Sequence, residues 1–132
     1  MADYTHVNLR RDVPDMAAMN GMEGMDARFP TRDLGLSAAA ISLHRLEPGV
    51  RQPFGHRHAS QEEVYVVVEG SGRVKLDEEV VELATWDAVR VPPRTWRCFE
   101  AGPGGIAFVA VGAPQMDDPH AGSEMAPGWW SD

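Results

Sequence analysis

The chain contains one cysteine, Cys98, and one lysine, Lys75, among its 132 residues. A single cysteine excludes an internal disulfide framework and fits a reducing compartment. Basic residues are scarce as a class, 12 against 20 acidic, which leaves a formal net charge of −8. That balance argues against nucleic acid as a partner, because phosphate binding needs a clustered basic surface. No stretch approaches the ~20 consecutive apolar residues that span a bilayer. The opening "MADYTHVNLRRDVPDM" has no long apolar run of the signal-peptide kind. The expected location is the cytoplasm, with no membrane partner. A phosphate-binding loop, a dinucleotide fingerprint and a nucleophile elbow are all missing, so no nucleotide cofactor is expected.

Hydrophobic residues make up 43% and charged residues 24% of the chain, as in an ordinary soluble globular domain. The length suits one domain with a core of its own. Residues 1–36 read as an N-terminal arm, in which "HVNLR" has the pattern of a short edge strand. Met16, Met19, Met22 and Met25 recur at a spacing of three, but Gly21 and Gly24 argue against a stable helix there. Thioethers are ligands for soft metals; the favoured reading is an arm that lays methionines on an apolar surface.

From Ser37 to residue 112 the pattern is one of short strands with Gly/Pro punctuation. "SAAAISLHRL" ends at "EPG", and "EEVYVVV" at "EGSG". "RVKL" and "VVEL" flank the acidic "DEE" turn. "DAVRV" stops at "PP", "WRCFE" at "AGPGG" and "IAFVAVG" at "AP". Seven such strands without a long amphipathic helix predict an all-β sandwich or barrel. The tail, residues 113–132, reads as a loop whose Trp129 and Trp130 fold back on the barrel or on a second subunit.

The chemistry concentrates in "GHRHASQEEVYVVVEG", residues 55–70. On a strand, residues two apart point to one face, about 6.6–7 Å apart. His56 and His58 therefore aim both imidazoles at one point, and a carboxylate from the next strand completes a two-histidine, one-carboxylate set. Alternation leaves open which carboxylate it is. Glu62 inward would carry Val64, Val66 and Val68 with it, a slightly cleaner apolar face than Glu63 with Tyr65 and Val67.

This stretch resembles the first motif of the cupin superfamily, in which HxH is followed after four residues by Glu and after six more by Gly. The matching positions are His56, His58, Glu63 and Gly70. Upstream, "LEPGVRQPFGHRH" is similar too, with Pro48 and Gly49 in the turn. "WDAVRVPPRTWRCFEAG" resembles the second motif less closely: Asp87, Pro92, Pro93 and Phe99 match, Trp86 and Arg94 stand for the two glycines, and Arg97 stands for the histidine. The resemblance implies a single-domain antiparallel jelly-roll β-barrel with inward ligands and a ligand pocket at its mouth.

An arginine is no metal ligand, since its guanidinium stays protonated and only donates. Two readings follow. In the first, His56, His58 and Glu63 hold a divalent transition metal (zinc, iron, manganese or nickel). Arg97 then sits at the rim and, with Phe99 and Tyr65, grips a small anionic organic molecule. In the second, the pocket is metal-free and Arg97 pairs with Glu63 in a binding or regulatory module. The sequence leaves open whether the chain is an enzyme. His44 shares strand parity with Ser42 and Leu46 and is read as an ordinary strand residue; His6 and His120 are read as surface residues. Cys98 faces away from Arg97 and Phe99 and is expected to be a buried, inert thiol. Apolar surface on the arm and the valine-rich strands predicts a homodimer.

Overall fold

The computed structural model describes residues 1–114 and 122–132; His120 lies outside the described residues. One short helix and eight strands follow in order: α1 (Met16–Met19), β1 (Met25–Arg28), β2 (Ala40–Leu46), β3 (Phe54–His58), β4 (Glu63–Leu76), β5 (Glu79–Leu83), β6 (Ala88–Val91), β7 (Arg97–Gly112) and β8 (Ser123–Pro127). The strand pairs are antiparallel, and together they form an all-β jelly-roll architecture. No helix among the described residues is long and apolar enough to cross a membrane.

Two long strands organise the sheet. β4 has 14 residues and β7 has 16. They pair with each other from Glu63↔Gly112 to Leu76↔Arg97, through register shifts at Val67/Glu69 and Gly70/Gly72. On its other edge β4 carries β6 along its first half and β5 along its second. β7 carries β2 along Ile106–Gly112 and meets β3 at Arg97. The glycine clusters read above as strand ends are therefore bends inside continuous strands. Gly70 shows why: its φ is +73°, and a Cβ there would overlap the Gly105 carbonyl oxygen. Glycine lets the two backbones cross closely and turn without breaking the ladder.

The arm departs from expectation in a second way. "HVNLR" forms no strand; the edge strand is β1, laid against β2 from Met25↔Leu46 to Arg28↔Leu43. Asp15 explains the local geometry. Its carboxylate caps α1 by accepting from the Ala17 and Ala18 amides at 3.0 and 3.4 Å, and it also accepts from Ala27 N of β1 at 3.0 Å. The helix is a single turn and stops before Gly21. Met16 and Met19 are exposed, whereas Met25 packs against the core.

The core fills the barrel with Leu46, Tyr65, Val67, Val74, Phe99 and Phe108 among others. Phe99 stacks on Phe108 at 4.1 Å between ring centroids, and Tyr65 lies 4.9 Å from Phe99. Each such side chain contributes about 1.5–3 kcal/mol by burial. Towards the end of the chain, β8 pairs with β3 from Phe54↔Pro127 to His58↔Ser123. Trp130 then lies between the Arg51 and Arg73 guanidinium groups, 4.2 and 5.1 Å from the ring centroid.

Trp86 has φ +74° with 73% of its surface exposed. It stands at a glycine position of the second motif, and the left-handed backbone is what glycine would supply there without strain. Trp86→Gly is expected to raise stability by about 1 kcal/mol. A chemical-denaturation midpoint unchanged or lowered would contradict this.

Candidate functional site

β3 delivers His56 and His58 to one side of the sheet, with their ring centroids 5.2 Å apart and the planes at 80°. The segment 59–62 turns the chain into β4, which opens with Glu63. Gln61 anchors the turn by donating to the Ala113 carbonyl at 2.6 Å. From there alternation places Glu63, Tyr65 and Val67 inward, with Tyr65 and Val67 buried. Glu62 points out and meets Arg90 at 3.2 Å. The inward carboxylate is thus Glu63. Bare alternation leaned the other way because Val64 and Val66, on the outer face, are also apolar and half-buried.

Three donors converge on one oxygen of Glu63. His58 Nε2 lies 2.9 Å from Oε1, the Tyr65 hydroxyl donates at 2.7 Å and Arg97 Nη1 donates at 3.0 Å. No hydrogen bond among the described residues is made to Oε2. The ligand atoms of His56, His58 and Glu63 lie within 4.8 Å of one another. His56 Nδ1 is buried and has no hydrogen-bond partner among the described residues.

Arg97 is not at a rim. Its side chain has 0% exposure, because the turn between β6 and β7 curls around it. Nε donates to Thr95 O at 3.1 Å, and Nη2 reaches the carbonyls of Pro92, Pro93 and Thr95 at 2.9, 3.0 and 2.8 Å. Nη1 serves Glu63 and, at 3.4 Å, the Tyr65 hydroxyl. Every guanidinium nitrogen is engaged, which is what allows a cation to be buried at all. Phe99 and Tyr65, 1% and 3% exposed, are packed in the core beside it.

The electrostatics follow from burial. Burial alone would raise the Glu63 carboxyl, but hydrogen bonds from His58 and Tyr65 and the Arg97 charge outweigh it and hold it at about 2. His56 is pushed down to about 3, chiefly by burial and then by the Arg97 charge, so its ring is neutral. Burial followed by the Glu63 charge raises the Tyr65 hydroxyl, which stays a donor.

The remaining candidates fall outside the cluster. His44 lies flat on Phe108 at 5.0 Å and edge-on to Phe29 at 5.6 Å, with Nε2 2.9 Å from Ser42 Oγ. Burial pushes it down to about 4. Cys98 is buried, and burial raises its thiol to about 11. His6 is exposed. One site contact has no counterpart in the sequence reading: Ser123 Oγ, on β8, lies 3.1 Å from His58 Nδ1. It sits in a stretch with no strand alternation, where nothing local marks it.

Comparison with known proteins agrees with this geometry. The chain belongs to the cupin family: the Cupin domain model matches residues 42–111. A cupin protein from Bacteroides fragilis superposes with a TM-score of 0.70 at 24% identity, over 89% of this chain and 90% of that one. The polyketide cyclase RemF from Streptomyces resistomycificus superposes with a TM-score of 0.71 at 20% identity, over 100% and 89%. At these identities the likeness is one of fold. An uncharacterised protein from Methanocaldococcus jannaschii is 40% identical over 40 residues, which are 30% of this chain and 32% of that relative. The match thus spans about a third of the relative's length.

Proposed function

We propose that this chain is a small metal-binding cupin. His56, His58 and Glu63 hold a divalent transition metal (zinc, iron, manganese or nickel), and the site binds or transforms a small anionic organic molecule. The observation that carries this reading is the cluster of His56, a second imidazole and an ionised carboxylate within 4.8 Å, in which the buried His56 Nδ1 has no hydrogen-bond partner among the described residues. An unsatisfied buried polar atom costs about 1–3 kcal/mol, and a metal bonded through Nδ1 would remove that cost. Two nitrogens and one carboxylate oxygen suit borderline divalent metals. When bound, the metal supplies Lewis-acid polarisation of an oxygen on the ligand.

The protein's own groups set up that chemistry. Tyr65 and Arg97 pin Oε1 of Glu63 and so fix the carboxylate's orientation. Arg97 also makes the site cationic: one carboxylate cannot balance a guanidinium and a divalent ion together. A buried surplus of positive charge favours an anionic ligand. Tyr65, Phe99 and Arg97, all buried, lie behind the site and act on such a molecule through the carboxylate they pin and through charge.

A second reading rests on the same arginine. At 3.0 Å from Glu63 and without exposure, the guanidinium itself supplies a cation, which describes a metal-free binding or regulatory module. Zinc calorimetry separates the two. The metal-binding reading expects uptake by the wild type. It also expects losses above about 100-fold for His56→Ala and His58→Ala, beyond the 10–100-fold typical of outer-shell partners, with His44→Ala close to wild type. Equal losses in all three variants would place His44 in the coordination sphere. No uptake by the wild type would favour the metal-free module.

A further inference from the structure

We propose that Ser123, on the C-terminal strand, is a positioning residue that orients the His58 ring through Nδ1, whichever ring nitrogen carries the proton. β3 meets β7 at a single register position, His56↔Arg97, but pairs with β8 along its whole length. The strand that carries both histidines is thus held chiefly by the tail. The tail in turn is clasped by its tryptophans. Trp130 lies between Arg51 and Arg73, and Trp129 stacks with Trp96 at 6.0 Å beneath the Lys75 ammonium at 4.6 Å. Gly55 is part of this fit, since a Cβ there would come within 2.7 Å of the Trp129 ring.

Within that pairing Ser123 lies directly opposite His58, so both side chains share a face. A neutral imidazole has one N–H and one lone pair. In the metal-free protein His58 Nε2 faces the ionised Glu63 oxygen at 2.9 Å. The proton then belongs on Nε2, and Nδ1 accepts from the Ser123 hydroxyl at 3.1 Å. For Nε2 to give its lone pair to a metal, the proton must sit on Nδ1, and Ser123 Oγ must then accept. A hydroxyl does either by rotating about one bond, so Ser123 supports both states. Residues that orient ligand histidines in this manner are worth about 10–100-fold in metal affinity.

The affinity half of this inference rests on the metal-binding reading; the hydrogen-bond half does not. Ser123→Val and Ser123→Thr share a shape and differ by the hydroxyl, so comparing them removes packing from the result. Imidazole nitrogen NMR on the metal-free protein should show His58 protonated at Nε2 in wild type and Ser123→Thr. Ser123→Val should lose the Nδ1 hydrogen-bond shift. Zinc calorimetry should give Ser123→Thr within about threefold of wild type and Ser123→Val about 10–100-fold weaker. An Nδ1 signal unchanged in Ser123→Val would overturn the inference. So would equal zinc affinity for the two variants while the wild type binds zinc. If the wild type takes up no zinc, the metal-binding reading fails, and the Nδ1 comparison by NMR still decides the role of Ser123.

Discussion

Arg97→Leu is expected to destabilise the protein by about 3–5 kcal/mol, the usual cost of removing one partner from a buried ion pair. The leucine leaves the Glu63 carboxylate without its permanently charged neighbour. It also takes the guanidinium donors away from the carbonyls of Pro92, Pro93 and Thr95; Pro92 and Pro93 keep the amides of Thr95 and His58, at 3.3 and 2.8 Å. Arg97→Lys should recover only part of this, because an ammonium is a point donor and cannot span the same fork. Urea unfolding measures both. A loss below about 1 kcal/mol for Arg97→Leu would be what an exposed pair gives, and would mean that Arg97 is not locked as described.

Stability of the metal-free protein should fall steeply below pH ~6.5, the ordinary histidine value. His44 and His56 are held down at about 4 and about 3 by burial. Both folded-state values lie below the unfolded one, so the unfolded chain takes up protons first. The stability is fully present above pH ~6.5 and is lost as pH falls toward the folded values. With two protons involved, the slope approaches about 2.7 kcal/mol per pH unit near pH ~5. Glu63, held at about 2, acts in the same direction but lower, from the ordinary carboxylate range down. His44→Gln should remove about one proton from the slope. Denaturant midpoints measured from pH ~7.5 to ~5 in the presence of a chelator test this. A flat profile would show that neither ring is buried neutral.

The class of fold was legible because it is written in strand spacing and turn residues, and the two histidines because parity alone puts them on one face. Glu63 was not legible from alternation. Both faces of β4 are apolar, and only the motif spacing favoured Glu63 over Glu62. Glycine was misread as punctuation at "EGSG" and "AGPGG", since a local pattern does not distinguish a chain end from a bend where β4 and β7 cross. For Arg97 the sequence left two places open, at the rim of a metal site or paired with Glu63, and the contact observed is the pair with Glu63. The burial of Arg97 depends on carbonyls from its own turn, a tertiary satisfaction that residue type does not announce. Ser123 lies 65 residues from His58 in sequence, in a strand that exists because β3 needs an edge partner. Such contacts become visible only once the topology is known.

The central claim is that His56, His58 and Glu63 form a metal centre. The direct measurement is elemental analysis of the native protein, purified without chelators, beside His58→Ala handled identically. The account predicts close to one equivalent of a transition metal per chain in the wild type and a small fraction of that in the variant. A folded wild type that carries no metal, and takes up none when zinc, iron, manganese or nickel is supplied, would contradict it.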